Sequence, residues 1–149
     1  MVDKQHELLK FWLKGNEDAV RFCEDVFFVS QVVDDLVDRD NEVTVKDIEE
    51  MTMLMFSSIP RNPFYRAHQD SLQSYLETAL MYWIDGNRLE TQGEDGRRLA
   101  FVFRDVIGGV INKCALLVGG YEWWETVSLD IHRRVTHDES YEEYVRNLL

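Results

Sequence analysis

The stretch "EDAVRFCEDVFFVSQVVDDLVD", residues 17–38, decides the fold class. Its apolar residues recur every three or four positions, which places their side chains on one face of an α-helix. This apolar stripe consists of Val20, Cys23, Val26, Phe27, Val33 and Val37. Asn16 is a good N-cap, and Glu17 and Asp18 suit the positive end of the helix dipole. The stretch therefore predicts one long amphipathic helix, from about Glu17 to Asp38.

The rest of the chain has the same helical character, without strand-like alternation or an internal repeat. Prolines occur only at Pro60 and Pro63, in one predicted connector, and "RLETQGEDGRR" (88–98) is the main predicted loop. The other helices are predicted at about 3–14, 44–58, 63–85, 97–118, 121–135 and 140–148, with Gly119-Gly120 ending the one at 97–118. We expect an all-α antiparallel bundle of about six to seven helices, with residues 1–149 as a single domain.

Composition limits the classes of function. The chain has 149 residues, 45% of them apolar, which suits one domain with a proper core. Its formal net charge of −12 should repel nucleic acid and anionic membranes, so we expect neither as a partner. Cys23 and Cys114 lie in apolar helical patterns, which is typical of reduced core cysteines in the cytoplasm.

Four aspartates at the end of the second helix need an explanation, namely Asp34, Asp35, Asp38 and Asp40. Like charges one turn apart destabilise a helix, and acids in the last turn oppose the helix dipole. Asp34 and Asp38 share a face, and Asp34 begins at the edge of the buried stripe. Because broken local rules are expected at functional sites, this cluster is the main candidate site.

A divalent cation would remove the conflict between these carboxylates. Mg²⁺ prefers oxygen ligands and commonly binds through one or two carboxylates together with a substrate phosphate. Asp34, Asp35 and Asp38 are therefore candidate Mg²⁺ ligands for holding a small diphosphate compound. The other interpretation is a solvated helix end that leads into an acidic turn before the Thr44 cap.

The motif "QVVDDLVD" (31–38) resembles the aspartate-rich DDxxD motif of class I isoprenoid synthases, an all-α family. In that family the carboxylates hold Mg²⁺ ions that bind a prenyl diphosphate, and a glutamine precedes the pair as Gln31 does here. The resemblance implies an isoprenoid-synthase-like fold element, with Asp34, Asp35 and Asp38 as the metal ligands. No second aspartate-rich motif accompanies it, so the synthase reaction is not carried over.

Two further comparisons bear on function. The segments "LKGNEDAVRFC", "DDLVDRD" and "PRNPFYRAH" resemble small uncharacterised bacteriophage proteins, which implies a viral source. All-α nucleotide pyrophosphatases are a second metal-dependent alternative. "IEEMT" supplies Glu49 and Glu50 for such a site, without the E-x-x-E spacing of that family.

Gln31 and several other residues are candidates for a second shell, a ligand wall or a phosphate site. His68 falls on the apolar face of the predicted fourth helix, where a hydrogen-bonded core histidine is the usual case. Asp105 and Asn112 share a face with Gly109 in "RDVIGGVIN", where the glycines indicate either close helix packing or space for a ligand. Arg61 and Arg66 could hold a phosphate or pair with surface acids.

The pair Trp123-Trp124 predicts one buried ring and one ring for an interface, because adjacent residues cannot face the same core. This pattern is compatible with a homodimer or with another protein partner. Two functions follow from the sequence. The first is a non-enzymatic binding or assembly protein, and the alternative is a Mg²⁺-dependent protein that binds or acts on a diphosphate compound.

Overall fold

The computed structural model describes residues 3–39, 41–135 and 139–148, and in these ranges the chain is helical and has no β-strand. The α-helices are α1 (Lys4–Trp12), α2 (Glu17–Asp38), α3 (Val45–Met53), α4 (Ile59–Arg61), α5 (Pro63–Ala67), α6 (Gln69–Leu89), α7 (Gly93–Phe103), α8 (Val110–Val135) and α9 (Tyr141–Leu148). A π-helical segment, Leu54–Ser58, joins α3 to α4, and a 3₁₀ segment, Val106–Gly109, precedes α8. The predicted all-α class is confirmed.

One hydrophobic core joins α1, the first half of α2, α5, α6 and α8. Its largest fully buried side chains are Trp12, Phe22, Leu9, Leu13, Leu72, Ile111 and Ile131. Cys23 and Cys114 are both buried there as free cysteines, with their sulfur atoms 3.7 Å apart. Burial of this apolar area is the main stabilising term for such a bundle.

The predicted starts of α2 and α3 are confirmed by their caps. Asn16 Oδ1 accepts a hydrogen bond from the Ala19 N–H at 3.0 Å, so α2 begins at Glu17 and ends at Asp38 as expected. Thr44 and Asp47 form a reciprocal capping box at the start of α3. Local hydrogen bonding suffices to fix such boundaries, which explains why the sequence located them.

The connectors differ from the prediction. The helix that begins at Val45 runs through the π segment and α4 to Arg61, so Pro60 is helical, and Asn62 alone separates α4 from α5. The predicted fourth helix is interrupted at His68 (φ −124°, ψ 28°) and extends to Leu89. The predicted polar loop shrinks to residues 90–92. Proline is tolerated in the first turn of a helix, which is where Pro63 lies, whereas Pro60 follows the π segment near the end of the continuous helical segment.

The predicted helix at 97–118 is also interrupted, at the 3₁₀ segment before α8. Gly109 has a packing reason, since a Cβ there would collide with the Tyr75 hydroxyl. That hydroxyl donates to the Val106 carbonyl at 2.6 Å. The expected break at the second glycine pair is confirmed, because Gly120 (φ 81°) kinks α8 where a left-handed backbone favours glycine.

No helix in the described part of the chain combines the length and the apolar character that crossing a lipid bilayer requires.

Candidate functional site: the α2–α6 trough

The part of α2 from Phe27 to Asp38 lines cavities. Asp34 and Asp38 lie one turn apart and both line a cavity between α2 and α6. Asp34 Oδ1 accepts a hydrogen bond from Trp83 Nε1 of α6 at 3.3 Å. This bond spans the gap between the two helices at the level of the aspartates.

Two adjoining cavities share Asp34, Trp83 and Arg104 in their walls, and together we call them the α2–α6 trough. The first, of about 410 Å³, is mainly apolar. Its apolar walls come from α2, α6, the 3₁₀ segment and the end of α8: Phe27, Val29, Val33, Ala79, Leu80, Ile107 and Val135. Polar side chains at its margin are Gln5, Ser30, Gln31, Asp34, Arg104, Asp105 and Arg134.

The second cavity, of about 530 Å³, is polar and acidic. Four carboxylates from three parts of the chain line it: Asp34 and Asp38 of α2, Glu90 after α6 and Glu139 before α9. Arg104 is the guanidinium in this lining, so the described walls carry an excess of three negative charges. A cavity of this charge attracts cations and repels phosphate groups.

The acids of the second cavity are held by the chain itself. Arg104 Nη1 lies 3.4 Å from Glu139 Oε1, and its guanidinium lies 5.1 Å from the centre of the Tyr144 ring. The Tyr144 hydroxyl donates to Glu90 Oε1 at 2.9 Å. Burial first, and then the hydrogen bond to Glu90, raise the pKa of Tyr144 well above its ordinary value. Tyr144 therefore stays protonated at neutral pH and remains a donor to Glu90.

The predicted metal ligands are not gathered around one point. In the described ranges, no group of three or more His, Cys, Asp or Glu residues is close enough to hold a metal ion. Asp35 Oδ1 accepts from Gln31 Nε2 at 3.0 Å and from Asn41 Nδ2 at 3.2 Å, and Asp35 does not line the trough. The Mg²⁺ site at Asp34, Asp35 and Asp38 stays a prediction.

Of the four predicted wall residues, the structure brings Gln31 and Asp105 to the trough and leaves Asn112 and His68 out. Gln31 and Asp105 line the first cavity, as does Gly108. Asn112 is instead buried in α8, where its Oδ1 accepts from Trp124 Nε1 at 2.9 Å and its Nδ2 has no partner among the described residues. Both glycines fit the close-packing interpretation, because a Cβ at Gly108 would lie 3.2 Å from Val135 Cγ2 and a Cβ at Gly109 would collide with the Tyr75 hydroxyl.

The predicted phosphate-binding residues and the histidine lie elsewhere. Arg61 and Arg66 are exposed in α4 and α5, and neither lines the trough. His68 sits at the break between α5 and α6, and its ring contacts Phe64 with centroids 4.7 Å apart. The continuous apolar face expected for His68 does not form, because α5 ends at Ala67.

Both tryptophans at the predicted interface are partly buried and make internal hydrogen bonds. Trp123 Nε1 donates to the Trp12 carbonyl at 2.8 Å, while Trp124 binds Asn112. Lys14 lies over the Trp123 ring at 5.1 Å. Both rings pack against the core cluster from the part of α8 that follows Gly120, so neither is left free for an interface as a fully exposed ring.

Sequence reasoning missed the residues that complete the trough: Trp83, Glu90, Arg104, Arg134, Glu139 and Tyr144. The sequence pattern predicts Trp83 only as part of the apolar stripe of a helix. The others lie on exposed-looking, charged segments that are far apart along the chain. No spacing rule connects α2 with α7 and α9, so only their packing identifies the set.

No protein-family model, curated protein or solved structure matches this chain. The resemblances to isoprenoid synthases and to bacteriophage proteins therefore stay predictions from short segments of sequence.

Proposed function

We propose that this protein is a non-enzymatic binding protein whose α2–α6 trough takes an organic cation with an apolar part. The observation that carries the proposal is the pairing of an apolar cavity with an acidic one across the shared Asp34–Trp83 contact. An alkylammonium group fits this pairing, with its charge among the carboxylates and its chain along Phe27, Val33 and Leu80. On a partner protein, the same chemistry is a lysine side chain beside an apolar residue.

Charge and solvation support this choice of ligand. The second cavity has three more negative than positive side chains, so an entering cation relieves repulsion between the acids. The first cavity has apolar walls, and contact with them would stabilise neither a bare metal ion nor a free phosphate. Pockets with apolar walls and a few placed polar groups are the usual form of an organic ligand site.

The test is calorimetric titration with n-octylammonium, using octanoate as the ligand control with the same type of tail and the opposite charge. We expect saturable binding of octylammonium to the wild type and at least about tenfold weaker binding to Asp34→Asn/Asp38→Asn, since charged hydrogen bonds contribute about 1.5–3 kcal/mol each. The matched control is Asp70→Asn/Glu77→Gln, which removes two exposed acids of α6 that do not line the trough.

The control variant should bind octylammonium as the wild type does. The proposal fails if octanoate binds equally well, or if both double variants lose the same affinity, because binding would then depend on general charge or general hydrophobicity.

The alternative function is Mg²⁺-dependent binding of a diphosphate compound through Asp34, Asp35 and Asp38. One observation favours it: Asp34 and Asp38 line one cavity together with Glu90 and Glu139, which come from other elements. Titration of Mg²⁺ and Mn²⁺ with and without pyrophosphate tests it on the same variants. Metal binding that pyrophosphate tightens and that Asp34→Asn/Asp38→Asn loses would support this alternative, and equal behaviour of the variants would exclude it.

A further inference from the structure

The helical segment from Val45 to Arg61 is the least buried long segment of the described chain. None of its residues is buried, although it includes many apolar side chains. The most exposed of these are Phe56 (79%), Val45 (73%) and Met53 (62%). Its main neighbour is α2, with which α3, the π segment and α4 all make contact.

In the segment from Val45 to Arg61, helical spacing places one row of side chains on the side that faces α2 and another on the solvent side. Met51, Leu54 and Ser58 follow one row at three-four spacing and are half-buried, as expected for the side that faces α2. Apolar residues also occupy the outer side, and the outer stripe consists of Val45, Ile48, Met55 and Phe56, all exposed. A helix that is apolar on its solvent side as well is typical of one that lacks a neighbour.

The charge around the outer stripe identifies the kind of neighbour. Residues 42–61 contain the acids Glu42, Asp47, Glu49 and Glu50 and the bases Lys46 and Arg61, an excess of two acids within a chain of net charge −12. A second copy of this chain would bring the same negative charges together at close range. A basic partner would instead gain both apolar contact and charge complementarity.

We infer that the outer stripe is the docking surface for a basic amphipathic helix of a partner protein. The partner would lay its apolar face on Val45, Ile48, Met55 and Phe56, with a lysine or arginine beside Glu49. Methionine side chains adapt to different apolar partners, and an amphipathic helix that packs its apolar face on an apolar surface is a recurring mode of recognition. This inference is independent of the trough, which no residue of the outer stripe lines.

The probe is a fluorescein-labelled 14-residue peptide of leucine and lysine, patterned as an amphipathic helix and measured by fluorescence anisotropy. The control peptide has glutamate in place of every lysine. We expect the lysine peptide to bind at least about tenfold more weakly to Met55→Ser/Phe56→Ser than to the wild type, because a few buried anchors carry most of the affinity of an interface.

The matched control variant is Val102→Ser/Leu129→Ser, which removes two residues that are equally exposed on α7 and α8 (62% and 67%). The wild type, Met55→Ser/Phe56→Ser and Val102→Ser/Leu129→Ser have the same net charge, so purely electrostatic binding of the peptide would not distinguish them. Glu49→Gln should weaken binding of the lysine peptide without changing the apolar anchors. Far-ultraviolet circular dichroism confirms that each variant is folded.

Three results would overturn the inference. The first is equal affinity of the lysine peptide for Met55→Ser/Phe56→Ser and Val102→Ser/Leu129→Ser. The second is loss of peptide binding in Asp34→Asn/Asp38→Asn, which would move the site to the trough. The third is a wild-type dimer in sedimentation equilibrium that Met55→Ser/Phe56→Ser dissociates, which would make a second copy the occupant.

Discussion

The two halves of α2 are built from the same kind of sequence and end in opposite environments. Residues Ala19, Phe22 and Cys23 of the first half are fully buried against α5 and α8. In the second half, Asp34 is half-buried and Asp38 is exposed, and both line a cavity. One rigid helix therefore anchors the fold at one end and presents carboxylates at the other.

The contrast between the two halves of α2 shows how a small bundle can carry a polar site. Core packing fixes the direction of α2, so the aspartates of its second half are held without needing favourable contacts of their own. Acids in the last turn of a helix cost stability through the helix dipole, and the buried half supplies enough packing to offset this. Five predictions test how far the two halves differ, beginning with the largest expected effect.

Phe22→Ala should reduce the free energy of unfolding by about 3–5 kcal/mol, because it leaves a cavity in the core. Phe22 is fully buried and stacks on Tyr65 with ring centroids 5.5 Å apart. Urea denaturation measures the change, with Val37→Ala in the second half as the control. Val37 is 53% exposed, so its truncation should cost no more than about 0.5 kcal/mol. Similar losses for both variants would remove the distinction between the halves.

The Cys23 thiol should react with Ellman's reagent at least about 100-fold more slowly in the native protein than in urea, since a buried thiol must first become accessible. The neighbouring Cys114 thiol and burial raise the pKa of Cys23 well above its ordinary value, which further lowers the thiolate population. A Cys23→Ala/Cys114→Ala/Val37→Cys variant is the control and should react rapidly. Fast labelling of the native wild type would show that the buried half opens readily.

Trp83→Phe should cost about 1–2 kcal/mol of stability, because it removes the donor to Asp34 and part of the packing between α2 and α6. Asp34→Asn keeps an acceptor oxygen at the same place and should change stability by less than about 0.5 kcal/mol. Thermal unfolding of both variants checks this pair. If Asp34→Asn were the more costly substitution, the carboxylate charge would be needed for folding.

Asp35→Asn should raise stability by about 0.3–1 kcal/mol at low salt, because it removes an acid from the negative end of the α2 dipole and keeps the acceptor for Gln31 and Asn41. Glu17→Gln, in the first turn of the same helix, should lower stability by a similar amount. Both changes should diminish in 1 M NaCl. Urea titrations at two salt concentrations measure them, and changes of equal sign at both ends would contradict the dipole explanation.

The smallest effect concerns the pH dependence of His6 and Glu24. Their side chains lie 2.9 Å apart, and the hydrogen bond to Glu24 raises the pKa of His6 above its ordinary value of 6.5. The stabilisation by this pair is therefore complete below about pH 6.5 and is lost as pH rises through the raised pKa. Proton NMR titration should show a higher pKa for His6 in the wild type than in Glu24→Gln. Identical titration curves would mean that the pair does not form in solution.

Local rules explain which parts of this fold could be predicted. Asn16 and Thr44 form caps through hydrogen bonds to residues three positions away, so their role is visible in the sequence. The break at His68 and the 3₁₀ segment at Val106–Gly109 were missed, because they depend on packing between distant segments. Gly109 is an example. The sequence indicates that a glycine inside a helix is required for packing, but only the structure shows that the neighbour is the Tyr75 hydroxyl.

The candidate site also has a part that could be predicted from the sequence and a part that could not. Helical periodicity is a local property of the chain, so the sequence is enough to place Asp34 and Asp38 on one helical face at the edge of a buried stripe. What lies opposite them depends on packing, since Trp83, Arg104 and Glu139 belong to segments 49 to 105 positions away from Asp34. Their approach results from the burial of a shared core elsewhere in the molecule, and no spacing within the sequence records it.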